Sequence, residues 1–495
     1  MGNAAKPSFR QKIIFSSLFF ILLLSFFLRF YRFSSRWILN QDQARDTVMI
    51  MYALKEHSLP LLGSPASAGP FSFGPYYHWL IGFFKTIIPT VTGPWIGFAV
   101  VSSLIPLFFW FLAKNVADKY LAFFLGLTAA LATAQVINAP DMLNTVLTSY
   151  LVSFCFCGLA FYLKKQSFSR LFLFSFLAGL ATVPHFQSLG VLSLPALVFL
   201  FELFKKNRFG DKIKKSLTII TALLLSYSPL LLFDIFHQGA WLKSVFLYFS
   251  SGQNKFYYPV RWLTDLTVFW PSLWGQVISG YPRLGYLLCL VFGLIFLSIF
   301  LKPRQNFKKN KFIFFLVASF LMQVVFIRYY KGVRSSEYFF TFHPYFIFFT
   351  AWSLWQLFKK QKILAVVLSF SLFLFIFKND LSSIKTDQSQ ASLIQEIRQE
   401  VEAKTGQTSF SFYTYRGDNM LNLPLFYLFY ENGQIQDQAY KIGTCRADET
   451  VSCPPADSII SQRGHYLVYD LNQVSLESFT PLTAQKINSW LYINY

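Results

Sequence analysis

Residues 13–30 read IIFSSLFFILLLSFFLRF, and ten residues later the chain turns polar at Asn40-Gln41-Asp42-Gln43-Ala44-Arg45-Asp46. A helix over such a block is long enough to cross most of a ~30 Å hydrocarbon core. Lys6, Arg10 and Lys12 precede it, as they would precede a signal peptide. No small-residue cleavage site follows; Arg29, Tyr31, Arg32 and Arg36 do, so the segment reads as an anchor that stays. The polar cluster then falls just beyond the membrane, on the far side from the basic amino terminus.

The rest of the chain repeats the pattern. Of 495 residues, 54% are hydrophobic, 61 are Phe and only 14% are charged, against about 25% charge in soluble proteins. Apolar blocks predict eleven spans, at 13–30, 95–113, 120–137, 143–163, 171–187, 188–204, 216–233, 283–301, 312–327, 338–356 and 363–378. Pro184, His185 and Gln187 interrupt the run where two of these meet near Ser188. The net charge of +21 is not spread evenly. Basic groups recur at alternate connections: Lys6/Arg10/Lys12, Lys114/Lys119, Lys164/Lys165/Arg170, Lys205 to Lys215, Lys302 to Lys311, and Lys359/Lys360/Lys362. These short segments hold 22 of the 44 Lys and Arg residues. Such a bias places the amino terminus in the cytoplasm and the carboxyl terminus outside. It argues against nucleic acid as partner, which would need one connected basic surface, and for anionic inner-leaflet lipids.

The expected fold class is an α-helical polytopic membrane protein of about eleven transmembrane helices with a small carboxyl-terminal extracytoplasmic α/β domain. The membrane domain covers residues 1–378, including a long first outer loop at 31–94, and the soluble domain covers 379–495. Within the tail, Leu393, Ile394, Ile397 and Val401 fall at helical spacing between Ser382 and Gln407, and short strand-like runs follow at Phe410–Tyr415 and His465–Tyr469. Cys155, Cys157 and Cys289 lie in spans and read as small apolar residues. Cys445 and Cys453 lie in the exported tail, where an oxidising compartment could join them.

Candidate chemistry gathers in the outer regions. Asp42 and Asp46, four apart, share a face if their stretch is helical; the plain alternative is a solvated pair favoured by the helix dipole. Asp141, between the third and fourth spans, lies at about the same depth as Asp42. It could equally cap the span that starts at Met142. Two carboxylates at one level can take a proton from an acceptor hydroxyl and help hold a divalent cation, so a metal ion on Asp42 and Asp141 is a further expectation. Asp234 is a third acid of the same level, or a plain loop-boundary residue. Arg328, Lys331 and Arg334 share one outer loop, against the inside bias, and guanidinium groups bind phosphate bidentately. His185 and Gln187, breaking a span near its outer end, suit a polar cavity, while Arg45 suits a local ion pair with Asp42. Tyr76 and Tyr77 belong to an aromatic stretch fit for the interface. No phosphate-cradling glycine loop is present, which argues against a nucleotide cofactor.

Together these residues resemble the polytopic glycosyltransferases of the C superfamily (GT-C), in the branch of protein O-mannosyltransferases and the lipid A aminoarabinose transferase. The resemblance covers most of residues 13–356. It rests on Gln41-Asp42-Gln43-Ala44-Arg45-Asp46, Gly74-Pro75-Tyr76-Tyr77, Pro140-Asp141, and Glu337-Tyr338 ahead of Pro344. It implies an enzyme of the plasma (inner) membrane that takes a sugar from a polyprenyl-phosphate donor at the outer face, with inversion. The acceptor would be a lipid, glycan or protein hydroxyl. By the same resemblance Asp42 is the general base and Asp141 a supporting or metal-associated acid. Many members carry Arg or His where this chain has Glu337, which shifts phosphate binding to Arg334 or Arg328. Two other readings compete. A transporter or flippase of a lipid-linked substrate would bury its acids mid-span and break its helices at the midplane. An O-antigen-type polymerase or ligase would place its site in a large late loop such as 234–282.

Overall fold

A computed structural model of the chain describes residues 9–66, 69, 71–206, 208–251, 262–301, 303–328 and 335–385, together with residues 399, 424, 427 and 428 and five strands of the tail. It divides into two compact units. The first is Met1–Tyr31, Pro60–Leu80 and Trp95–Thr386; the second is Arg32–Leu59, Ile81–Pro94 and Asp387–Tyr495.

The first unit is helical. It opens with α1 (Phe9–Phe30) and, after the second unit's α2 (Gln41–Lys55), receives the start of α3 (Tyr76–Ile87). Then come α4 (Gly93–Val116), α5 (Lys119–Leu131), the short α6 (Thr133–Ile137), α7 (Asn144–Lys164), α8 (Phe168–Thr182) and α9 (Ser193–Leu203). The latter half holds α10 (Phe209–Ser226), α11 (Ser228–Phe236), α12 (Ala240–Ser251), the single turn α13 (Trp262–Thr264) and α14 (Trp270–Ser279). It closes with α15 (Leu284–Phe300), α16 (Pro303–Arg328), α17 (His343–Lys360) and α18 (Lys362–Lys385). α7 packs along α8, α8 along α10, and α5 against α1 and α17. Phe156, Tyr345 and Phe320 interleave between α7, α17 and α16.

Among the described residues, five helical stretches are long and apolar enough to cross a membrane, rising to seven if each of two bent pairs counts as one span. Eleven apolar blocks therefore do not become eleven straight rods, and local chemistry explains each interruption. Ala132 takes an extended ψ of 115° and splits the 120–137 block into α5 and α6. Pro184 and an extended His185 end α8 and start a 3-10 turn at Phe186–Leu192. A helix cannot continue through the residue before proline without a clash. α10 and α11 meet at 65° around Tyr227, with Pro229 opening the new helix, and the Trp262–Ser279 stretch meets α15 at 105°. Gly280, at φ 70°, makes that second corner, a backbone region that costs glycine little.

Basic side chains of several connections gather at one end of this unit. Lys164 Nζ donates to Asn115 Oδ1 at 3.0 Å, and Lys205 Nζ to Gln166 Oε1 at 3.0 Å. Buried Glu202 pairs with Lys205 and Lys215. Asp118 caps α5 through the Tyr120 and Leu121 amides and accepts Trp355 Nε1, over whose ring Lys359 lies at 3.7 Å. Four of the basic connections read from the sequence meet here. Asp141 precedes the opposite end of α7, about 30 Å away at 1.5 Å per residue.

In the second unit the described strands β1 (Ser411–Tyr415), β2 (Thr444–Cys445), β3 (His465–Asp470), β4 (Thr483–Ile487) and β5 (Trp490–Asn494) form one sheet in the order β2-β1-β3-β5-β4. β1 runs parallel to β2 and β3, whereas β5 is antiparallel to β3 and β4. The strand-like runs at Phe410–Tyr415 and His465–Tyr469 are β1 and β3. The expected helix between Ser382 and Gln407 lies largely outside the described residues, as does Cys453. Tyr427 is buried and donates its hydroxyl to Val91 O at 2.5 Å, fastening the end of the 81–94 segment to the tail.

Candidate active site

The acidic cluster of the second unit is built on the first turn of α2. Asn40 caps it: its Oδ1 accepts the Asp42 amide at 3.0 Å, and Gln43 Oε1 accepts the Asn40 amide at 3.2 Å in return. This reciprocal capping box satisfies amides that a helix start otherwise leaves open. Arg45 then bridges both acids, with Nη1 2.7 Å from Asp42 Oδ1 and Nε 2.9 Å from Asp46 Oδ1. The acids differ in setting. The Asp42 side chain is 57% exposed and that of Asp46 only 3%. Asp46 is thus a buried anchor for Arg45, and Asp42 is the reachable carboxylate. The local ion pair expected of Arg45 is present.

The acid of the first unit, Asp141, is buried at 7% exposure. It does not cap α7; Leu143 stands at that position and makes no side-chain cap bond. Instead the Asn138–Asp141 turn, closed by the Asp141 amide on Asn138 O at 3.2 Å, holds it at the helix end. Arg29 is fully buried, with Nε on Ser102 Oγ at 2.9 Å and Nη1 and Nη2 on the carbonyls of Ala130 and Ala129. Those carbonyls close α5, where the helix dipole favours a cation.

Aromatic residues wall this end. The Tyr77 hydroxyl donates to Met142 O at 2.8 Å, one residue from Asp141, and the Tyr76 hydroxyl to Ser226 O at 2.8 Å. Burial pushes the Tyr76 hydroxyl above its ordinary pKa. Gly74 ahead of them lies so close to Val183 that a Cβ would collide with its side chain, while its amide donates to Val183 O at 3.0 Å. Only glycine lets this loop dock there. Asn144 Nδ2 on Pro184 O at 3.1 Å joins the start of α7 to the His185 break. The buried His185 ring stacks on Tyr338 at 5.3 Å and meets Phe73 at 4.7 Å, and its Nδ1 accepts the Gln187 amide. Among the described residues, the buried atoms Gln187 Oε1 and Thr145 Oγ1 have no hydrogen-bond partner. A buried acceptor left unmade costs about 1–3 kcal/mol. Such atoms mark where a bound group can answer them.

Asp234, Arg328 and Glu337 also lie in the first unit. Asp234 is buried and committed to capping α12: Oδ1 accepts the Trp241 amide at 2.7 Å, and Oδ2 the Leu242 amide at 3.2 Å. Arg328, at the end of α16, is buried with its guanidinium 4.9 Å from the Trp262 ring. Glu337 is exposed at the start of the 3-10 turn Ser336–Phe342 that carries Tyr338. Lys331 and Arg334 lie outside the described residues. No group of three His, Cys, Asp or Glu side chains that could hold a metal occurs among the described residues. Arg29 escaped the sequence reading, where it counted only against cleavage. Its signal was available: an ionisable residue in the last turn of an apolar span is seldom incidental.

No protein-family model matches the chain, and no curated protein matches it significantly in sequence. Solved structures do resemble it. ArnT from Cupriavidus metallidurans, bound to undecaprenyl phosphate or in the apo state, superposes with a TM-score of 0.64 at 11% identity over 98% of both chains. AglB from Archaeoglobus fulgidus, in complex with an inhibitory peptide and a dolichol-phosphate, gives 0.51 at 9% identity over 94% of this chain and 70% of that one. An oligosaccharyltransferase from the same organism, in complex with Zn and sulfate, gives 0.51 at 10% identity over 92% and 68%. The chain therefore has the helical membrane-protein fold seen in ArnT and AglB.

Proposed function

We propose that the chain is a polytopic membrane glycosyltransferase that moves a sugar from a polyprenyl-phosphate donor to an acceptor hydroxyl at the outer face of the membrane, inverting the anomeric centre. One observation carries the reading. A buried acid, Asp141, sits at the end of α7 beside Tyr77 and a His185–Tyr338 stack with unanswered polar atoms, in a fold that ArnT shares over 98% of both chains. ArnT was solved with undecaprenyl phosphate and AglB with a dolichol-phosphate; a lipid-phosphate carrier is the donor class we assign here.

An acceptor hydroxyl is a poor nucleophile at neutral pH. In the proposed mechanism the exposed Asp42 carboxylate, aimed by Arg45, takes its proton as the new bond forms. Asp141 is assigned as a supporting acid of the reaction, and Tyr76, Tyr77, His185 and Gln187 as residues that contact substrate on the first unit. The departing phosphate carries negative charge, which Arg328, Lys331 and Arg334 offset as it develops. The polyprenyl tail stays in the bilayer, so the polar groups need only orient the sugar. All eleven apolar blocks, short and broken ones included, serve as membrane segments in this reading, with the basic end in the cytoplasm and residues 379–495 forming an outer α/β domain. The protein thus belongs in the plasma (inner) membrane. Broken helices, which a transporter would need, are present at α10–α11 and α14–α15, but Asp141 stands at a helix end, where surface chemistry is favoured.

The test is direct. Membranes or purified protein supplied with a panel of polyprenyl-phosphate sugars should release polyprenyl phosphate. Asp42→Asn should abolish that release at unchanged expression. Full activity in the variant would remove Asp42 as the base.

A further inference from the structure

A second polar pocket of the first unit takes no part in the reaction drawn above. It lies among α6, α14, the Ser336–Phe342 turn and α18, and encloses about 320 Å³, at the small end of the range for ligand sites. Its polar lining is Thr133, Asn138, Gln276, Ser336, His343, Asn379 and Ser383. These are hydroxyls, amides and an imidazole; among the described residues no Lys, Arg, Asp or Glu lines it. Phe340 adds one aromatic surface. A phosphate would ask for cations, and a hydrocarbon would leave the amides unanswered. Ring hydroxyls donate and accept at once, as amides and hydroxyls do in return, and the C–H face of a sugar suits an aromatic wall.

The pocket walls are held from behind. Thr133 Oγ1 lies 2.6 Å from Asp380 Oδ1, Asn379 Nδ2 donates to Ser279 O at 2.7 Å, and His343 Nδ1 lies 3.3 Å from Gln135 Nε2. Such preorganisation lowers the ordering cost of binding. Two walls also lead to the site already described. Asn138 closes the turn that carries Asp141, and the turn contributing Ser336 and Phe340 carries Tyr338 against His185.

From this we infer that the pocket binds a neutral pyranose ring borne by one of the substrates. The assignment of that ring to a substrate rests on the glycosyl-transfer reading; its binding does not. The first test therefore needs no turnover. Ser336→Cys in the full-length protein is labelled with a maleimide and followed by mass spectrometry of the peptide containing residue 336. Neutral methyl glycosides should slow labelling several-fold, and inorganic phosphate should not. Labelling indifferent to the glycosides, or slowed equally by phosphate, overturns the proposal. A second variant, Ala134→Trp, fills the pocket. It should raise KM for one substrate about tenfold, equivalent to about 1.4 kcal/mol. A rise for the donor or for the acceptor identifies which of them supplies the ring, and unchanged KM for both overturns the proposal. Glycoside protection without any release of polyprenyl phosphate would defeat the transferase reading and leave the pocket standing.

Discussion

Arg45 decides what the two acids of α2 can do. By joining a buried Asp46 to an exposed Asp42, it leaves one carboxylate reachable and fixes its direction. The ion pair itself adds little stability, about 0–1 kcal/mol at an exposed site; its consequence is geometric. The helix start beneath it matters more. Asn40→Ala removes the capping box and should cost about 1 kcal/mol, seen as a lower melting temperature together with a loss of transfer, while Asn40→Asp should restore both. An unchanged melting temperature in Asn40→Ala would show the cap to be dispensable. The phosphate-binding loop allows a comparison between its own members. Arg334→Ala should raise donor KM more than Lys331→Ala, because a guanidinium can hold a phosphate with two parallel bonds and an ammonium cannot. Wild-type donor KM in both would reject that role for the loop.

At the scale of elements, the breaks in the helices are the informative part. The 105° corner at Gly280 brings α14 back beside α15 and opens the pocket next to α18. Adding a side chain there meets a left-handed φ of 70° and the Asn379 side chain together. Gly280→Ala should therefore destabilise the protein by about 1 kcal/mol or more, read as a drop in the temperature at which detergent-solubilised protein aggregates. No drop would mean that the corner forms without glycine. The corner was not legible as such in the sequence. Gly280 and Pro282 were visible, but an apolar run with two breakers reads equally as a loop between spans. The pair at Ser188 was more legible, because Pro184, His185 and Gln187 interrupt the run with residues that cannot stay in lipid unpartnered.

For the molecule as a whole, basic side chains from four connections meet at one end, and Asp141 stands beyond the other end of α7. In the proposed reading, the bias toward cationic cytoplasmic loops puts that basic end in the cytoplasm. A cysteine placed at Ser383, near the end of α18, should react with an impermeant reagent added to intact cells. Protection until the cells are opened would reverse the orientation and with it the outer-face chemistry.

The chain's own chemistry determined the membrane class, the clustering of its basic residues at alternate connections, the Arg45 ion pair and two strands of the tail. Each of these depends on neighbours within a few residues or on summed hydrophobicity, which a linear reading captures. Tertiary structure alone decided that Asp234 caps α12 rather than lining a site, that Arg29 is buried against the end of α5, and that Asp141 is held by a turn and not by capping its helix. It also decided that Thr133, Asn138, Gln276, Ser336, His343, Asn379 and Ser383, up to 250 positions apart in the chain, line one pocket. Burial and partnership arise from contacts distant in sequence, and a residue's type states what it can bond to, not what the fold brings within reach.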